Sequence, residues 1–217
     1  MKTYKKRLIR LMFGLLLYAV GIVITINADI GYAPWDVFHV GFSNTFGMSI
    51  GMASIITGLA IGAIAVILGE KIGIGTVLNM VMIGVFVDWI MLAGFIPIAT
   101  NFFTGAVMMI VGIIIISLAT YFYISAAFGS GPRDSLMVAV TRKTRLPVGF
   151  CRGSIELIAV IIGWQLGGKV GVGTILFALF IGLFVQTTFK VLHFDATQVS
   201  HETLDQTLLA LTRKPNN

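Results

Sequence analysis

Gly31-Tyr32-Ala33-Pro34-Trp35-Asp36 and Gly129-Ser130-Gly131-Pro132-Arg133-Asp134 are one motif written twice, 98 residues apart. A second pair keeps the same offset: Lys71-Ile72-Gly73-Ile74-Gly75-Thr76-Val77-Leu78 and Lys169-Val170-Gly171-Val172-Gly173-Thr174-Ile175-Leu176. Gly51/Gly149, Leu68/Leu166 and Gly84/Gly182 fall on that offset too, and no gap is needed between them. Half of the chain is therefore a copy of the other half. Membrane transport folds are commonly built in this way.

Composition places the chain in a bilayer. Of 217 residues, 57% are hydrophobic and 11% charged, and the mean hydropathy is +0.98. A soluble core cannot absorb that much apolar surface. The net charge of +6 does not indicate nucleic acid, because the basic residues gather at the ends of apolar runs, where membrane topology puts them. The single Cys151 excludes an internal disulfide and offers no metal cluster.

A helix needs about 20 apolar residues to cross the hydrocarbon. Six runs qualify: Leu8–Ala28, Ile50–Leu68, Thr76–Phe95, Phe102–Phe128, Val148–Leu166 and Thr174–Leu192. The first is not a removable leader, since its copy lies in mid-chain and pairs Gly14 with Gly112 and Ala28 with Ala126. Lys2, Lys5, Lys6, Arg7 and Arg10 predict a cytoplasmic amino terminus. Alternation then puts Lys71, the Arg133–Arg152 cluster, Lys190, Arg213 and Lys214 inside, leaving Lys169 outside, and the carboxyl terminus is cytoplasmic as well.

Three spans per copy is an odd number, so the second copy enters the membrane from the opposite side. The predicted fold is an all-α, polytopic membrane helix bundle of six transmembrane helices arranged as two inverted three-helix repeats. Repeat 1 covers residues 1–100 and repeat 2 residues 101–193, and 194–217 form a cytoplasmic amphipathic tail. In that tail Asp195 and Gln198 suit a capping box, and Leu204, Leu208 and Leu211 share a helical face. Each face of the membrane should carry one motif of each kind.

Each repeat also holds a short helix, 34–46 and 132–145, too short to span. Proline suits its first turn, and an acid two residues on suits the positive helix end. Two readings stay open: a helix lying in the interface, or a re-entrant half-helix that presents its amino end to a buried site. The Lys-x-Gly-x-Gly-Thr loops lack the order of a phosphate loop, so their glycines read as tight turns and Thr76 and Thr174 as caps.

Ionisable groups inside the spans carry the functional expectation. A charge at the bilayer centre costs about 2.5–3.5 kcal/mol on insertion scales and therefore faces a bundle interior or a wet cavity. Arg152 and Glu156 share one helix face at i, i+4, and Asp88 lies toward the end of the third span. Their copies, Ser54, Gly58 and Gln186, are uncharged. With the short-helix residues, the candidate substrate- or ion-binding set is Asp36, Asp88, Arg133, Asp134, Arg152 and Glu156. An intrahelical ion pair is the plainer alternative for Arg152 and Glu156. His39 is a potential neighbour of Asp36 and Asp88. Small-xxx-small pairs such as Gly58/Gly62 and Gly163/Gly167 suit close helix packing and are compatible with a homodimer.

Gly-x-x-Pro-Trp-Asp at 31–36, the repeated Lys-x-Gly-x-Gly-Thr-x-Leu, Gly-Ser-Gly-Pro-Arg-Asp-Ser-Leu-Met from Gly129, and Val-Gly-x-x-Arg-x-x-x-Glu at Val148–Glu156 resemble the YczE/YitT group of bacterial membrane proteins, above all its YczE branch. The resemblance covers about residues 8–192 and implies a multi-span inner-membrane protein that acts as a transporter.

The expected function is a bacterial inner-membrane secondary transporter of a small polar, anionic solute, its partners being the bilayer and that solute. A non-transporting scaffold or accessory subunit is the alternative. No His-Glu-x-x-His or Gly-x-Ser-x-Gly motif is present, so an enzyme is not expected, and neither are a cofactor, a metal or nucleic acid.

Overall fold

The computed structural model describes residues 2–206, with side chains from Tyr4 onward. Among these residues there is no strand, and the chain forms eight α-helices before a further helical stretch at 204–206: α1 (Lys2–Asn27), α2 (Pro34–Phe46), α3 (Ile50–Ile67), α4 (Ile74–Ala93), α5 (Phe102–Ser125), α6 (Pro132–Thr144), α7 (Val148–Gln165) and α8 (Val172–Val191). Six of them, all but α2 and α6, are long and apolar enough to cross a membrane. At about 1.5 Å per residue even the shortest of the six reaches about 27 Å, close to the hydrocarbon thickness. The outward faces carry bare apolar side chains such as Ile67, Leu92, Phe103 and Leu179. Lipid satisfies such a surface and water does not.

Local chemistry sets the helix ends. Ser49 accepts the Met52 N–H at 3.1 Å, and Asn101 accepts the Thr104 N–H at 2.9 Å. Thr76 and Thr174 cap as anticipated, but from the third helical position, each accepting from the preceding glycine (Gly73 and Gly171) at 3.2 Å. The short helices match their predicted limits, except that Arg145 lies just beyond α6 in a left-handed conformation (φ 59°).

The antiparallel pair α1 and α5 forms the centre of the bundle. A methyl on Gly14 would press on the Tyr123 backbone at 3.0 Å, and one on Gly112 would overlap the Thr25 side chain, so glycine is what lets the two helices come this close. α4 packs on α1 and α8 on α5, while α2 and α6 both lie between α3 and α7. The face that carries the start of α1 is called the near face here, and the opposite one the far face.

Each glycine motif of one half docks on the glycine loop of the other. On the far face Gly173 N–H donates to Ile30 O at 2.8 Å, and on the near face Gly75 N–H donates to Phe128 O at 2.7 Å. These are the same bond at an offset of 98 residues. Left-handed turns repeat likewise, Asp29 (φ 54°) with Ala127 (59°) and Gly31 (112°) with Gly129 (119°). Gly31 packs so closely on the Gly171 backbone that a side chain would be excluded even without the positive φ.

One relation departs from this pattern. α3 packs along α4, but its counterparts α7 and α8 make at most marginal contact. The tail folds back under the near face. Leu204 N–H donates to Ile72 O at 3.0 Å, Glu202 N–H donates to Ala127 O at 3.0 Å, and Arg7 joins Glu202 to the carbonyls of Ala126 and Ala127. Asp195 closes a 3-10 turn at Ala196–Gln198 by accepting from Thr197, and Gln198 donates back to its carboxylate. Leu208, Leu211, Arg213 and Lys214 lie outside the described residues.

Candidate functional site: a mixed-charge cavity where the short helices meet

The short helices begin inside the bundle. α2 starts at Pro34 and ends where Thr45 donates to Leu166 O (3.1 Å) on the far face. α6 starts at Pro132 and ends where Arg142 reaches Leu68 O (2.9 Å) and Glu70 (3.0 Å) on the near face. Their amino ends meet, and no side chain caps either one. The burial of Asp36, Val37, His39 and Val40 shows that the amino half of α2 is enclosed by the bundle.

A cavity of about 470 Å³ lies at that meeting point, and all eight helices contribute to its wall. Asp36, Arg133, Asp134, Arg152 and Glu156, five of the six expected residues, line it. The sixth, Asp88, is outside it, held at the start of α3 by the Gly51 N–H (2.7 Å) and the Ser49 hydroxyl.

A short chain of contacts links the two short helices. The Arg133 guanidinium lies over the Trp35 ring at 4.7 Å and approaches His39 Nε2 at 3.4 Å, and His39 Nδ1 is 3.4 Å from Asp36 Oδ1. Arginine can only donate, so Nε2 is the accepting nitrogen and Nδ1 carries the proton toward Asp36. His39 is thereby a neutral bridge between an arginine and an acid. The pairing of Arg152 Nε with Glu156 at 3.0 Å is present, yet both residues also face the cavity. Asp134 has no ion pair within 4 Å among the described residues, and its side chain stays accessible because it faces the cavity. Below it, in the tail, burial holds the His201 imidazole beneath its usual range, against an opposing pull from Asp134.

Three acids therefore face two arginines in a space enclosed by apolar helices. Tyr18, Thr57, Asn79, Thr120, Tyr123 and Gln186 add neutral polar groups. None of these stands out in sequence, because single neutral polar residues are common in spans. Only the offset pairing of Gln186 with Asp88 singles one out. The arrangement can hold a polar or charged solute away from lipid. Among the described residues no cluster of His, Cys, Asp or Glu has metal-binding geometry.

Relatives share the greater part of this chain. A membrane protein of Bacillus subtilis, YczE, is 39% identical over 176 residues, 80% of each chain. A Haemophilus influenzae protein is 30% identical over 81% of this chain and 80% of its own. YyaS of Bacillus subtilis is 23% identical over 75% and 82%. No solved structure matches. A family profile described as a family of unknown function, DUF6198, matches residues 5–190, which span all eight helices and every cavity residue named above. The chain accordingly belongs to the DUF6198 family, as a YczE-like multi-pass membrane protein.

Proposed function

We propose that this protein is a secondary transporter of the cytoplasmic membrane, moving a small polar solute by alternating access between two inverted repeats. The observation that carries the reading is the cavity with charges of both signs at the junction of the two short-helix amino ends. A scaffold has no use for such a space, and gathering five ionisable groups around a cavity inside an apolar bundle costs stability. The interhelical contacts repeated at a 98-residue offset, the glycine docking on both faces and the one unequal seam support the inverted repeat and its two-state use.

Helix amino ends together with Arg133 and Arg152 favour an anionic group on the solute. Asp134, left without a cationic partner, takes a proton, a cation or a cationic group of the same solute. The basic near face is cytoplasmic by the positive-inside rule, which places both termini inside.

The test is flux. Proteoliposomes loaded with a panel of small carboxylic acids and amino acids should release at least one of them. Arg133→Ala should abolish that release, and Asp134→Asn should remove its pH dependence. If nothing in the panel moves while a stoichiometric protein partner co-purifies, the molecule is an accessory subunit and the transport reading fails.

A further inference from the structure

The seams α3/α4 and α7/α8 are built from corresponding residues but stand in different states. In the α3/α4 seam, Gly51 and Gly84 pack backbone to backbone, and a methyl on either would strike the carbonyl of the other. Asp88 closes this seam at the far face. It accepts from the Gly51 N–H at 2.7 Å and from the Ser49 hydroxyl, which itself caps α3. An acid at a helix amino end is held by the unpaired N–H groups and by the helix dipole.

Shifted by 98 residues, the same four positions in the other seam are Pro147, Gly149, Gly182 and Gln186. The two glycines are retained, but a side chain on either would meet nothing within 4 Å. Glycine within a helix costs about 1 kcal/mol relative to alanine, and current packing returns nothing for it at Gly182. The latch is missing as well: proline has no hydroxyl to offer, and glutamine has no charge to set at the helix end. This seam borders the cavity, with Arg152 and Glu156 on α7 and Gly182, Val185 and Gln186 on α8.

We infer that Asp88 is the latch of a two-gate device: it holds the far seam shut, and the near seam closes by bringing Gly149 against Gly182 when the far seam releases. Glycine at 149 and 182 is then explained by a contact made in the other state. Asp88 acts as a positioning residue and does not touch the solute. The functional meaning of the device rests on the transport reading, but its test reads distances and not flux, so the two can fail separately.

The test uses pairs of spin labels in a Cys151→Ser background, in lipid nanodiscs. Met52→Cys with Leu92→Cys reports the far seam, and Phe150→Cys with Lys190→Cys, the same positions in the other half, reports the near seam. All four positions are exposed. The far pair should show one short distance and the near pair a predominantly longer one. Asp88→Ala should raise the open fraction of the far seam and the closed fraction of the near seam together, by about tenfold or more, as expected for losing hydrogen bonds to a charged group. Pro147→Ser with Gln186→Asp, which installs the latch on the near seam, should raise the near seam's closed fraction and decides alone if Asp88→Ala does not fold. Gly182→Leu should hold the near seam open in either background. The inference is overturned if the near-seam distances ignore both changes, or if the two seams open together.

Discussion

Arg133 illustrates how much of the cavity depends on side-chain shape. Its guanidinium lies over the Trp35 ring and also reaches His39 Nε2, two contacts that a planar, many-donor group makes together more readily than a lysine ammonium. Arg133→Lys should therefore keep the charge yet weaken solute binding by about tenfold, read from Trp35 emission during titration. Thr76 is similarly specific. It is buried, accepts from Gly73 N–H and donates to Ser130 O at 2.6 Å, tying a loop of one half to the motif of the other. Thr76→Val strands both partners and should cost about 1–3 kcal/mol in detergent unfolding. Thr174→Val should cost less, because Thr174 shows the cap alone. The threonine caps were legible in the sequence since they are local, but the bond to Ser130 was not, as it spans 54 residues.

Among the helices, glycine content separates contacts that are made from contacts that are not. α2 lies against α7 so closely that a methyl on Gly163 would strike the Phe38 backbone. Gly163→Ala should push the two helices apart and destabilise the bundle by about 2 kcal/mol or more. Gly153→Ala, one helix face away and meeting nothing within 4 Å, should leave stability unchanged or raise it by up to about 1 kcal/mol through helix propensity. Thermal melts of the two variants compare them directly. The short helices were visible in the sequence as segments too brief to span. Their depth was not, because interfacial and dipping helices of 13 residues have the same composition.

Across the whole bundle, the charge distribution predicts orientation. In a Cys151→Ser background, Thr100→Cys on the exposed far-face loop should react with a membrane-impermeant thiol reagent in intact cells. Lys143→Cys, exposed at the near face, should react only after permeabilisation. The reverse labelling would invert the topology and with it the identity of the two gates. The near face is further organised by Arg7, which lies over Phe128 and joins the tail to the end of α5. Glu202→Ala should accordingly speed proteolysis of the tail beyond Leu192 without altering the unfolding of the spans.

The amino-acid order by itself settled the six spans, the two short helices and the family, because each depends on what a stretch of chain does locally: cover about 20 residues of hydrocarbon, cap its ends or turn at a glycine. It also named five residues that line the cavity: Arg152 and Glu156 because an ionisable group in a span must face inward, and Asp36, Arg133 and Asp134 because they stand in the twice-written short-helix motif. Only the folded bundle decided which of those groups meet. Arg133 and His39 are 94 residues apart and come together because the amino ends of two short helices meet inside the bundle. Asp88, equally costly in lipid, found its partners in a helix amino end and not in the cavity. Helix depth and crossing are set by packing of the whole bundle, and periodicity along one strand of sequence carries no record of them.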